Sequence, residues 1–304
     1  MKTDVMTETL APSWDGREVA DLLDLAPIAA NRFRSRLGET NEHGRIYGGQ
    51  LLGQAIMAAS RTVDDDRTAT YLQFLFAAGG VPEQAVDYEV VPLQDGKRFS
   101  SRSVRGVQPG GRVLCDASVS FARAMESPSH SAPPEGDSGL ASDPESLPGL
   151  KDIDAPEARD VESTLNYGYR EHSAIDLRLP FVEDVLRGDP LSPRVRFWIR
   201  VRAPLRDDPA LHAAAFAYIS DYWINFVACI AHVAPLAKVN GKLYVASLNH
   251  AIWFHCPFRA DQWLLFDCTS PRATLGRGLA TARVYSRSGE LVASATQECL
   301  LAPA

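Results

Sequence analysis

Asp221 interrupts FAYISDYWINFVACIA, a stretch that is otherwise apolar almost all the way round. A helix of that kind is buried on most sides, and a carboxylate within it is costly unless hydrogen-bonded. Gln297 raises the same question in a strand. In VASATQECLLA, a period of two puts Ala293, Ala295, Gln297, Cys299 and Leu301 on one face, and Ser294, Thr296 and Glu298 on the other. That alternation predicts a half-buried strand with an amide set in its apolar row. A buried amide without a partner costs roughly 1–3 kcal/mol, so a side chain or a water must satisfy it. Ser247 supplies a hydroxyl. If the helix crosses the sheet, Asp221, Ser247 and Gln297 meet and form a cradle for a water molecule. The carboxylate accepts its proton and the hydroxyl or amide orients it. A nearby helix N-terminus can donate N–H groups to a developing oxyanion. Chemistry of this kind hydrolyses an activated acyl group with no covalent intermediate.

The elements that must position these residues are written twice. VRGVQPGGRVLCDASVSF and ARVYSRSGELVASATQECL each read as alternating strands about a Gly-containing turn. Aligning Gly111 with Gly289 sets an offset of 178 (289 less 111). The offset places Val119 on Gln297, Leu72 on His250 and Ala69 on Ser247, so the later copy is polar where the earlier one is plain hydrocarbon. A buried helical candidate precedes each strand set, YGGQLLGQAIMAAS at 47–60 and AFAYISDYWINFVACIA at 215–231. The expected fold is α+β, a double hot-dog in which two curved antiparallel sheets each wrap a long buried helix. Joining the sheets edge to edge would cover exposed strand edges. The Ser/Pro/Gly-rich segment 126–165 reads as a linker between an N-terminal repeat, 17–125, and a C-terminal repeat, 166–302, that carries the catalytic residues.

A net charge of -7 argues against nucleic-acid binding, which needs a basic face. No apolar run reaches the ~20 residues of a bilayer span. The N-terminus, MKTDVMTETL, has acidic residues and no apolar h-region, and LLAPA is no peroxisomal address. Five cysteines without metal or redox spacing predict reduced, buried thiols in a cytoplasmic protein.

Five stretches, GRIYGGQLLGQAIMAAS, DGKRFSSRSVRGVQPGGRVL, FAYISDYWINF, ASLNHAIWFHCPF and GELVASATQECL, together resemble the acyl-CoA thioesterase II (TesB-type) family from about residue 17 to 302. The resemblance implies hydrolysis of an acyl-CoA thioester to free acid and CoA, with acyl-CoA as the substrate partner, and no cofactor is expected. It assigns the catalytic aspartate to Asp221, the Ser/Thr to Ser247 and the Gln to Gln297. Family analogy adds a homo-oligomer. Asn249 stands where the family usually has Asp before His, which would remove a charge near the site. LQFLFAAGG replaces the usual His-containing strand of the first half.

Other residues invite roles of their own. Gly48 and Gly49 suit close packing at a helix start, or N–H groups facing a substrate carbonyl. His250 and Trp253 are further substrate-binding candidates, Trp253 as a wall of the acyl tunnel. His250 and His255 are five apart, so on one strand they face opposite ways and no metal site is expected. Arg98, Arg102, Arg105 and Arg112, with Arg272, Arg277, Arg283 and Arg287, suit solvated faces or the CoA phosphates. A non-hydrolytic acyl-CoA binder is the alternative function, and enoyl-CoA hydration ranks last because no helix carries an Asp-His pair.

Overall fold

Strand alternation and three apolar helices organise the chain into two units, Met1–Pro128 with Ala203–Tyr218, and Ser129–Arg202 with Ile219–Ala304. The computed structural model describes residues 10–136, 138–165, 172–186, 189 and 191–304.

In the first unit, α1 (Val19–Leu23), β1 (Leu25–Ala29) and β2 (Arg32–Ser35) lead to α2 (Gly48–Ser60). The hairpin strands follow as β3 (Arg67–Phe76), β4 (Asp87–Asp95), β5 (Phe99–Gln108) and β6 (Arg112–Arg123). They form an antiparallel array in the order β1-β2-β4-β5-β6-β3. Leu, Ala, Gln and Met favour the helix, and every residue from Gly49 to Ala59 is buried. Sheet strands contact α2, so it has no charged face, and its two buried amides, Gln50 and Gln54, are hydrogen-bonded within the unit.

The second unit contains α3 (Pro156–Leu165), β7 (Ile175–Arg178), α4 (Val182–Leu186) and β8 (Arg194–Val201). The chain then enters α5 (Pro209–Trp223), whose last turn belongs to this unit, and α6 (Phe226–Ala237). Four long strands complete it, β9 (Leu243–Phe254), β10 (Leu264–Thr274), β11 (Arg277–Ser286) and β12 (Leu291–Pro303). The antiparallel order is β9-β12-β11-β10-β8-β7, with α6 packed on β8, β10 and β11.

The offset of 178 recurs in the strand register. Leu72 pairs with Val119 in one unit, and His250 pairs with Gln297 in the other. Irregularities recur too. Thr70 is an extra residue in β3 opposite β6, and Leu248 is an extra residue in β9 opposite β12. Leu114 and Val292 are likewise bulged against their partner strands.

The structure corrects the helix expectation. The run 215–231 is not one helix but the end of α5 and the start of α6, with a turn at Ile224 and Asn225. The offset maps α2 onto α6, since Gly48 and Phe226 open them. Uniform hydrophobicity hid the break, because a stretch without a polar face carries no phase from which a change of direction can be read. Taken together, Pro209–Ala237 is also long and apolar enough to cross a bilayer, against the sequence expectation, but its most apolar window is 94% buried within the protein.

Segment 126–165 is more than a tether. Leu140 and Leu147 pack on the buried cluster Trp198, Trp263, Leu265 and Tyr285. Glu145 accepts a hydrogen bond from Trp263 Nε1 at 2.9 Å, and α3 packs on α6. Its expected junction with the second repeat, at 165/166, abuts residues 166–171, outside the described residues.

Candidate active site

Three elements of the second unit deliver the polar residues. Asp221 lies in the last turn of α5 and is 7% exposed. Ser247 comes from β9 and Gln297, 0% exposed, from β12. Gln297 Nε2 donates to Asp221 Oδ1 at 2.6 Å and to Ser247 Oγ at 2.7 Å. Ser247 Oγ donates to Asp221 Oδ1 at 3.2 Å. The structure therefore brings together the three residues that the sequence flagged.

The bulge at Leu248 makes this possible. Residues three apart on a regular strand point to opposite faces. Ser247 and His250 are three apart, yet both reach Gln297. One extra residue shifts the phase of β9 and re-aims the hydroxyl.

Asn225 was not anticipated. It precedes α6, 8% exposed, and its Nδ2 donates to Ser247 Oγ at 3.2 Å. Its Oδ1 is buried and has no hydrogen-bond partner among the described residues. Asn225 stands four positions after Asp221 as another polar residue in the apolar run, but the turn at Ile224 and Asn225 separates it from the helix that carries Asp221. Asn225 also lines a cleft with Leu165, Tyr222, Trp223, Phe226, Cys229 and Val245. Aromatic rings dominate one wall, with Trp223 and Phe226 stacked at 4.4 Å between centroids.

His250, 1% exposed, extends the cluster inward. Its Nδ1 lies 2.7 Å from Gln297 Oε1 and its Nε2 lies 3.1 Å from Ser220 Oγ. Burial pushes the imidazole down from 6.5 to about 4, and the hydrogen bond to Gln297 offsets only part of that. His250 is thus neutral at physiological pH. The linkage has a definite sign. Between about pH 6.5 and 4 the unfolded chain binds a proton that the folded chain does not, so stability falls as pH falls through that window, by up to about 3 kcal/mol. Urea midpoints measured from pH 7.5 to 4.5 should show this loss in the wild-type protein, and a shallower one in His250→Leu. Parallel curves for the two proteins would show that the imidazole does not contribute it.

The remaining candidates lie elsewhere. Gly48 and Gly49 open α2 in the first unit. There a Cβ on Gly49 would overlap the Tyr218 carbonyl and the Tyr47 ring, and one on Gly53 would meet Ala214 O. These glycines let α2 approach the first part of α5 closely. Trp253, 40% exposed, alternates to the face opposite His250 and Ile252. Asn249, next to His250 in β9, pairs across the strands with Glu298, donating to Oε2 at 3.0 Å. Alternation turns it away from His250, and an Asp there would oppose the Glu298 carboxylate. His255 bonds Ser294 Oγ at 2.9 Å. Among the described residues no group of three His, Cys, Asp or Glu side chains is arranged to hold a metal ion. Several arginines are committed within the protein. Arg102, 2% exposed, bonds Thr62 and Asp95, while Arg105, Arg277, Arg283 and Arg287 pair with Asp116, Glu298, Glu135 and Asp143.

A helix laid on an antiparallel sheet, with a carboxylate, a hydroxyl and an amide meeting at its end, places the protein in the hot-dog class. A hot-dog-fold protein from Alicyclobacillus acidocaldarius superimposes with a TM-score of 0.71 at 18% identity, covering 94% of this chain and 98% of that one. Residues 38–122 match the acyl-CoA thioesterase N-terminal domain and residues 144–301 the acyl-CoA thioesterase C-terminal domain. Acyl-coenzyme A thioesterase 8 of Mus musculus is 33% identical, over 92% of this chain and 87% of its own length. Acyl-CoA thioesterase 2 of Haemophilus influenzae is 27% identical, over 92% and 95%. The crystal structure of the acyl-CoA thioesterase II TesB2 from Mycobacterium marinum aligns with a TM-score of 0.75 at 33% identity, covering 94% and 99% of the two chains. The chain belongs to the acyl-CoA thioesterase II family and is an acyl-CoA thioester hydrolase.

Proposed function

We propose that each unit is one hot dog of a double hot-dog and that the second unit hydrolyses acyl-CoA through a water held by Asp221, Ser247 and Gln297. The observation that carries this reading is the meeting of three side chains from α5, β9 and β12 around Asp221 Oδ1, with contacts of 2.6–3.2 Å. Water entering the cluster takes the place of Ser247 Oγ as acceptor of one of the two Gln297 Nε2 hydrogens, and gives its proton to Asp221 as its oxygen bonds to the thioester carbonyl carbon. Ser247 orients it. Asn225 Oδ1, buried and without a partner among the described residues, accepts the second hydrogen. The tetrahedral intermediate then breaks its C–S bond, releasing the carboxylic acid and CoA as a thiolate, which takes the proton held by Asp221 and so restores the base. The aromatic-walled cleft beside Asn225 receives the apolar part of the acyl group.

Thiol release measured across short, medium, long, branched and aromatic acyl-CoAs tests the reading. One CoA should appear per free acid formed, with no covalent acyl-protein trapped at any time. An acylated protein in rapid-quench mass spectrometry would overturn the direct water attack.

A further inference from the structure

We propose that His250 is a positioning residue whose Nδ1–H holds the Gln297 side chain in the one amide orientation that turns Nε2 toward Asp221 and Ser247. The inference rests on the catalytic reading above and adds to it what makes the amide usable.

The two ends of a glutamine amide are almost the same shape, and a half-turn exchanges donor for acceptor. Gln297 is fully buried, so water cannot choose between the two orientations. In the reversed one, Oε1 would face the Asp221 carboxylate at a position now 2.6 Å away, and neither Asp221 nor a bound water would receive the amide's hydrogens. Something must hold the productive orientation when the carboxylate takes a proton and its own preference for a donor weakens. His250 Nδ1, 2.7 Å from Oε1, does so when it carries the ring hydrogen. Nε2 is then the acceptor and takes the hydroxyl hydrogen of Ser220, 3.1 Å away. One direction of donation therefore runs from Ser220 through His250 and Gln297 to Asp221. Both ring nitrogens are used inside the protein and the ring is 1% exposed, so His250 does not touch substrate.

The first unit supplies an independent comparison. At the same register its pair is Leu72 and Val119, both 0% exposed. Where there is no amide to orient, there is no imidazole.

Kinetics of His250→Leu, His250→Asn and His250→Gln test the role, and Leu72 shows that leucine fits this strand position. Removing a side chain that orients a reacting group costs about 10–100-fold, so His250→Leu should lose that much kcat with KM changed by less than about threefold. Asparagine places its N–H near the site of Nδ1 and should restore at least about tenfold of that loss, whereas glutamine, which reaches the Nε2 site, should not. Imidazole 15N spectra give a measurement on the wild-type protein. The resonance missing from His250→Asn should show hydrogen on Nδ1 between pH 6 and 8. An Nε2–H tautomer, a full wild-type kcat in His250→Leu, or equal losses in all three variants would each overturn the proposal. Asp221→Asn is the control. If it stays fully active the catalytic reading itself fails, and if it is inactive while His250→Leu is not, only the role of His250 fails.

Discussion

Asp221→Asn should lower kcat for acyl-CoA hydrolysis by about 10²–10⁴-fold, the usual worth of a general base, and leave the fold intact. Asparagine keeps the shape of the side chain and an oxygen that can accept from Gln297 Nε2 and Ser247 Oγ, the two donors now at 2.6 and 3.2 Å. It removes the proton acceptor alone. The walls of the cleft proposed to bind substrate are untouched, so the loss should fall on kcat rather than KM. Steady-state thiol release with purified variant, beside a melting curve to show that it is folded, decides the matter. A variant turning over within about threefold of wild type would remove Asp221 from the chemistry, because no base contribution is that small.

Gln297→Val should cost about 10²–10³-fold in kcat, the range measured when one preorganised donor is removed from a reacting centre. Valine is what the first unit carries at this register, as Val119. The change strips two donated hydrogen bonds, to Asp221 and Ser247, and orphans the His250 nitrogen that faces Oε1. Stability should fall by about 1–3 kcal/mol, the cost of leaving buried polar groups unpaired. The double variant Asp221→Asn/Gln297→Val should be scarcely slower than the worse single one, because groups that hold one water act as a unit. Strict multiplication of the two losses would show that they act separately.

Much of this site was legible in the chain. Asp221 and Gln297 were visible as polar residues in apolar patterns, and the repeat supplied a reference in which Val119 and Leu72 show the plain packing solution. The register later observed in both units follows the same offset. What was hidden depends on backbone departures that carry no compositional mark. Leu248 is an ordinary strand residue, yet its bulge decides where Ser247 points. The turn at Ile224 and Asn225 lies inside a stretch with no polar face, so neither the helix boundary nor the role of Asn225 could be phased. The partner of Asn249 was not legible either, because its neighbour in the structure, Glu298, comes from another strand. Segment 126–165 reads as polar and Pro-rich, but a few residues, Leu140, Leu147 and Glu145, anchor it, and so sparse a pattern falls below what composition reports.

The bulge at Thr70 in the first unit has a consequence for how the duplicated halves diverged. A kink that aims a side chain is present in a half that has nothing to aim, with Ala69 standing where the second unit has Ser247. The bulge is thus common to both units, while the polar side chains of the proposed site occur in one. The carboxylate is the exception: the offset from Asp221 leads to His43, ahead of the first turn of α2 and on no helix. On the proposed assignment, a hydroxyl and an amide could be grafted into the first unit by exchanging side chains, whereas a carboxylate at position 43 would lie on no helix, so the asymmetry between the units is anchored in chain geometry.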